Sequence, residues 1–362
     1  MLGIYVHIPF CKRICNYCDF CKILYNDKYI GTYLDNLEKE IKERYKGETA
    51  KTIYIGGGTP SGLKTGDLDR LLYILSNINL DSEYEYTIEC NVCDIDIDKI
   101  NLFKSYGINR ISVGVESFNQ EIGKILGREI DEGIIFDKIY LLKKYFDNIS
   151  IDLIYGVTSD VEKVKNDINK FLKLDIPHVS CYSLILEEHT KLYIDNYVSI
   201  NQDIDYKMYK YINDTLSNSG FNHYEVSNYA KPRYESIHNK NYWLNGEYYG
   251  FGLGAVSYLD NRRITNTRNL SQYLKGTYLS STVYEDMQVR KENALILGLR
   301  LIKGINIDDY NHQYDTNLLK KSVIMELIKD DYLVVEEGNI RCNNKYLYLE
   351  NSILEKIIGS NL

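Results

Sequence analysis

Cys11, Cys15 and Cys18 stand close together near the start of the chain, in CKRICNYC, directly after a short apolar run. Thiolates crowded at this x3, x2 spacing are soft ligands, and soft ligands select zinc or iron–sulfur clusters. Four cysteines close the clusters that only carry electrons; three would leave one iron open for chemistry. Cys21 lies just beyond and leaves a count of four open. A second feature is IGGGTPSG at 55–62, where consecutive glycines let a ligand approach the backbone and expose N–H donors. Alone such a run reads first as a structural turn; beside a cysteine triad it becomes a grip for a small polar cofactor. Glu89, Glu116 and Asp152 follow at intervals, at or near the ends of β-rich runs, where charged residues do not serve as core.

For these residues to act together they must be delivered by a repeating framework, and the first 226 residues have one. Strand-like runs occur at 4–8, 52–55, 84–89, 110–115, 149–155 and 178–184. Helical stripes lie between them: Ile30, Leu34, Leu37, Ile41 and Tyr45 in 28–45, then Leu68, Leu71, Leu72, Leu75 and Ile78 in 67–79. Helices near 97–106 and 206–219 run into Gly107 and Gly220, residues suited to left-handed C-caps. Six strands with intervening helices predict parallel βα units joined by right-handed crossovers. The expected fold is α/β, an open (β/α)6 partial TIM barrel; a doubly wound sheet fits the pattern almost as well. In barrels the βα loops gather the active site at the C-terminal strand ends, which is where the cysteines fall. After residue 226 the alternation stops, and 227–285 reads as loop-rich. From 288, helices at 288–301 and 317–330 lead into short strands at 332–336, 339–342 and 346–349, a winged-helix-like α+β module. The expected domains are 1–236 and 237–362.

Composition narrows the class. The 362 residues include 44% hydrophobic and 26% charged residues, as in a soluble globular protein, and no apolar stretch approaches a membrane span. Peripheral contact with a membrane remains open. The N-terminus lacks a basic leader and a cleavage site, so a cytoplasmic location is expected. Eight cysteines in a chain of this length point to metal or redox chemistry in a reducing compartment. Cys90-x2-Cys93 has no second pair and reads as buried, reduced thiols, as do the isolated Cys181 and Cys342. The net charge of −8, and ten Lys/Arg against eleven Asp/Glu over 288–362, argue against nucleic acid as a partner.

The motifs resemble the radical S-adenosylmethionine superfamily, and more narrowly the branch holding oxygen-independent coproporphyrinogen III oxidases and HemW heme chaperones. The resemblance runs over nearly the whole chain: YVHIPFCKRICNYCDF (5–20), YIGGGTPS (54–61), GINRISVGVESFN (107–119), IDLIYG (151–156), YSLILEEHT (182–190) and YEVSNYAKPRYESIHNKNYW (224–243). The last contains the HNxxYW pattern of HemW as His238, Asn239, Tyr242 and Trp243. It implies a radical SAM core followed by a HemN-type C-terminal domain. It also implies that Cys11, Cys15 and Cys18 hold three irons of a 4Fe–4S cluster whose fourth iron chelates S-adenosylmethionine, and that reduction cleaves the sulfonium to a 5′-deoxyadenosyl radical. Tyr5 and Tyr17 would flank that cofactor, and Gly57, Gly58 and Thr59 would lie along its methionine portion. Glu89, Glu116, Arg128 and Asp152 would bond its ribose and carboxylate groups, which are sensible charge-assisted contacts.

Arg128 has the alternative of a surface ion pair with Glu129 or Glu132, and His7 is either a donor to a cluster sulfur or a core histidine. The family pattern has Gln where this chain has Glu116, which places negative charge close to a ligand carboxylate. It also has a proline after Asn91 and a Pro–Gly turn where GVTSDVE (156–162) stands. These departures mark a divergent member. Three functions are in contention. A heme chaperone would carry heme to apoproteins, with His238 as axial ligand, since imidazole is a common haem ligand; a reductant such as flavodoxin or ferredoxin would serve the cluster. A coproporphyrinogen oxidase would carry an N-terminal extension and a cysteine one residue beyond the triad, where this chain has Asp19. A ferredoxin-like carrier would close its cluster with Cys21 and would need no cofactor pocket. The chaperone fits best.

Overall fold

A computed structural model describes residues 1–360. Its centre is a run of six parallel strands that neighbour one another in chain order: β1 (Gly3–Ile8), β2 (Ala50–Gly57), β3 (Leu80–Asn91), β4 (Arg110–Glu116), β5 (Asn148–Tyr155) and β6 (His178–Ser183). Helices connect them, so the expected α/β fold with a largely parallel central sheet is present. The sheet does not close on itself: Asn222–Glu225 forms one end and Leu279–Tyr284 the other.

Periodicity places the helices. In Asp27–Arg44 the residues Ile30, Leu34, Leu37 and Ile41 are buried, Asn26 caps the first turn through Lys28 N, and Lys42 and Arg44 face the negative end of the helix dipole. Thr65–Leu75 buries Leu68, Leu71, Leu72 and Leu75 but stops short of the expected residue 79, leaving Ile78 as a core residue of the following turn. Gly107 and Gly220 adopt φ of +78° and +82° beyond their helices, the left-handed geometry expected of them.

The segment read as loop-rich differs. Tyr248–Phe251 pairs in parallel with the outer edge of β1, and Val256–Leu259, Arg262–Asn266 and Leu279–Tyr284 continue the sheet antiparallel. The sheet therefore continues past residue 236, where the sequence suggests a boundary. Glu40 binds this extension to the first helix. Its fully buried carboxylate accepts from Gly252 N at 2.9 Å, Asn266 Nδ2 at 2.6 Å and Tyr273 OH at 2.6 Å, and it pairs with Arg44. Tyr249, Phe251, Tyr273 and Tyr278 share the main core, whereas a second hydrophobic cluster runs from Leu295 to Ile357.

That second unit holds helices Met287–Gly298, Ile307–Tyr314 and Ser322–Lys329 with a three-stranded antiparallel sheet of Ile305–Asn306, Asn339–Cys342 and Leu333–Glu336. The strand expected at 346–349 is instead part of the 3-10 turn Asn344–Leu349, which Asn343 caps by accepting from Lys345 N. Among the described residues no helix is long and apolar enough to cross a membrane.

Candidate functional site

The cysteine loop grows from the C-terminal end of β1. Phe10–Cys11 pairs with Ile23–Leu24 and closes the base of the loop. Its far side is tied down by Asn16, which donates through N to Leu126 O at 2.9 Å and through Nδ2 to Ile125 O at 2.8 Å, and accepts from Leu192 N at 2.9 Å. The glycine run on β2 is fastened alongside it, with Gly58 N bonded to Ile8 O at 2.8 Å and Thr59 N to Phe10 O at 3.0 Å. A Cβ on Gly58 would lie 2.6 Å from the Pro9 carbonyl carbon, and one on Gly57, at φ +111°, would lie 2.4 Å from the His7 ring. No other residue allows these two strand ends to come so close.

The result is a cavity of about 650 Å³, within the ordinary range for a small-molecule site. Cys11, Cys15, Cys18, Tyr17, Gly57, Gly58, Thr59, Glu89, Glu116, Arg128 and Asp152 all line it. Of the residues expected at the site, Tyr5 and His238 do not. Cys21 is behind the cavity, packed against Gly254 and Arg268. Its carbonyl accepts from His7 Nε2 at 2.6 Å, which leaves Nδ1 to accept from Tyr5 OH at 2.8 Å. His7 therefore anchors the loop's exit and does not bond a sulfur. Tyr5 supports His7 and is not on the cavity wall.

The thiols are free. Burial pushes Cys11 up to about 11 and raises Cys15 and Cys18, with Thr59 opposing the shift at Cys11 and Arg128 opposing it at Cys15. Protons held this firmly leave when a metal replaces them. Among the described residues no three His, Cys, Asp or Glu side chains converge on a point able to hold one metal ion.

Three carboxylates form the floor. Glu89 accepts from Tyr54 OH at 2.8 Å and from Gly57 N at 3.0 Å, so it also shapes the glycine loop. Burial, with Asp152 adding repulsion, raises it to about 7. Asp152 is likewise raised by burial, and Ser180 and Arg110 oppose the rise. Glu116 sits at a register shift between β4 and β5 with φ +60°, a strained setting for a residue other than glycine. Its Oε1 accepts from Arg128 at 2.8 Å and from Tyr17 OH at 2.9 Å. Arg128 thus pairs with Glu116 and not with its sequence neighbours; Glu129 is taken by Arg13 at 2.5 Å.

The same wall carries residues that sequence reasoning passed over: Ser112, Asn91, Ile130, Ile134, and Asp94 paired with Lys12 at 2.6 Å. Cys90 is buried as expected, but Cys93 is exposed on the wall, because Asn91 caps a 3-10 turn that swings it outward.

His238 is elsewhere. It is the second residue of the helix Ile237–Trp243, whose first N–H groups, on Ile237 and His238, donate to the buried Glu85 of β3 at 2.8 and 2.9 Å. The ring is 1% exposed, stacks on Tyr54, and has Nδ1 bonded to Thr52 Oγ1 and Nε2 to Tyr242 OH, both at 2.8 Å. Burial pushes its pKa down to about 3. Neither nitrogen of this imidazole, a plausible axial ligand on the sequence, is free in this structure, and coordination to iron would first have to break one of these bonds.

The sequence model of the Radical SAM superfamily matches residues 5–171. The chain is 39% identical to a heme chaperone HemW from Lactococcus lactis subsp. lactis (strain IL1403), over 98% of this chain and 96% of that protein. It is 31% identical to the heme chaperone HemW of Bacillus subtilis (strain 168), over 99% and 100% of the two chains. Among solved structures, the coproporphyrinogen III oxidase HemN from Escherichia coli, described as a radical SAM enzyme, superposes with a TM-score of 0.86. That match covers 99% of this chain and 90% of the oxidase at 24% identity, which speaks for the fold alone.

Proposed function

Because the chain belongs to the HemW family of radical SAM proteins, we propose that it is a heme chaperone, one that binds heme and passes it to apoproteins from an iron–sulfur, S-adenosylmethionine-binding core. The end-to-end identity to the Lactococcus lactis chaperone carries this reading, since it spans the second hydrophobic unit as well as the cavity. On this reading Cys11, Cys15 and Cys18 hold three irons, and Gly57, Gly58 and Thr59 border the methionine portion of S-adenosylmethionine. Glu89, Glu116, Arg128 and Asp152 meet its polar groups, and Tyr17 braces the loop through Glu116. When bound, the cluster and cofactor supply one-electron cleavage of a sulfonium, with flavodoxin or ferredoxin as reductant. The chain's own part is to surrender three thiol protons, hold the loop between Asn16 and Leu126, and keep bulk away from the strand ends at Gly57 and Gly58. The core would extend through Tyr284, and the remainder would form the HemN-type C-terminal unit.

The test uses one anaerobic preparation. Reconstituted protein should show a 4Fe–4S spectrum whose EPR signal changes when S-adenosylmethionine is added, and titrated heme should bind with a defined stoichiometry. An unchanged signal refutes the open iron, and heme that does not bind refutes the chaperone. Coproporphyrinogen III with reductant should give no protoporphyrinogen; formation of it would favour the oxidase.

A further inference from the structure

The charge on the cavity floor is unbalanced. Glu89, Glu116 and Asp152 line it, and Glu85 lies buried on the same strand as Glu89. Two guanidinium groups oppose them, and elsewhere on the cavity wall stand Lys22 and Arg13, the latter paired with Glu129. Arg110 is fully buried and interacts with Glu85 and Asp152, and Arg128 is held by Glu116 at 2.8 Å. Asp94 and Lys12, on the same wall, match each other at 2.6 Å. The floor therefore holds more carboxylates than cations. One acceptor is also unused: Glu116 Oε2 is buried, in a residue 5% exposed that lines the cavity, and no donor reaches it among the described residues. A buried carboxylate oxygen without a donor is costly, and the backbone strain at φ +60° adds to that cost. A ligand that brings positive charge or N–H and O–H donors offsets the first of these.

We propose that this floor selects a cationic ligand over its neutral analogue, and that Glu116 is the specificity-determining residue. The inference rests on the S-adenosylmethionine reading above. S-adenosylmethionine and S-adenosylhomocysteine differ by one methyl group and the sulfonium charge it creates, so they form a matched pair of probes. Glutamine at 116 keeps the shape and still accepts from Tyr17, but it leaves the Arg128 charge uncompensated. The site then gains one positive unit, which weakens the sulfonium ligand relative to the neutral one; the carboxylate that both probes carry meets the freed guanidinium alike.

Isothermal titration of the reconstituted protein with each probe reads this directly. Wild type should prefer S-adenosylmethionine, and in Glu116→Gln that preference should fall roughly tenfold, the order expected for one unit charge several ångströms away inside a protein. Asp152→Asn should move the ratio in the same direction, and it decides by the same criterion if the first variant does not retain its iron. An unchanged ratio overturns the selectivity while leaving the cofactor reading intact. Wild-type protein that binds neither probe overturns both.

Discussion

Replacing His238 with alanine separates a structural histidine from a metal ligand. The ring fills a fully buried place between Tyr54, stacked at 5.1 Å, and Tyr242, edge-on at 4.8 Å. Its loss orphans Thr52 Oγ1, which is wholly buried, and takes from the Tyr242 hydroxyl its histidine partner. An orphaned buried hydroxyl costs about 1–3 kcal/mol, and each aromatic contact is worth about 0.5–1.5 kcal/mol. The Thr52 hydroxyl and the two aromatic contacts together predict a loss of about 2–6 kcal/mol, a large share of the roughly 5–15 kcal/mol that holds a domain together. Urea unfolding followed by circular dichroism measures it. Tyr242→Phe sharpens the question, because it frees Nε2 while keeping the ring in place. A structural histidine predicts a loss of about 1 kcal/mol with unchanged heme affinity. The reasoning is refuted if His238→Ala unfolds at the wild-type midpoint yet no longer binds heme, or if Tyr242→Phe binds heme more tightly.

Cys21→Ser should leave the iron and sulfide content of reconstituted protein unchanged, whereas Cys15→Ser should lose most of both; iron lost from the first variant would make Cys21 a fourth ligand. Glu350 tests the second unit. Burial raises its carboxyl from the ordinary 4.5 to about 8, against the pull of Arg300, and Glu225 adds to the rise. The folded protein then holds that proton more tightly than the unfolded chain does. The stability it contributes is fully present below about pH 4.5 and is lost as the pH climbs through about 8. Thermal midpoints should fall across that window and Glu350→Gln should flatten the fall; equal slopes for the two proteins would contradict the assignment.

The six parallel strands were legible because strands covered on both faces read as apolar runs, and the helices because their stripes repeat at three and four residues. The four strands from Tyr248 to Tyr284 were not legible. They are four to six residues long and lack a clear alternation of buried and exposed positions. They form because β1 has an open edge to pair with, and Gly250 lets Val256 O approach to where a Cβ would stand.

Chain order and residue type alone determined which groups could do chemistry: three thiols at a cluster spacing, glycines at a strand end, and carboxylates delivered by successive βα units. Only the tertiary structure decided which way they face and whom they meet. Cys21 turns behind the cavity and Cys93 onto its wall, Arg128 leaves its sequence neighbours for Glu116, and His238 is enclosed. Spacing constrains ligand identity because it acts over a few residues of backbone. Partnership between Tyr17 and Glu116, 99 positions apart, depends on where a bulge and a loop come to rest once the sheet has formed.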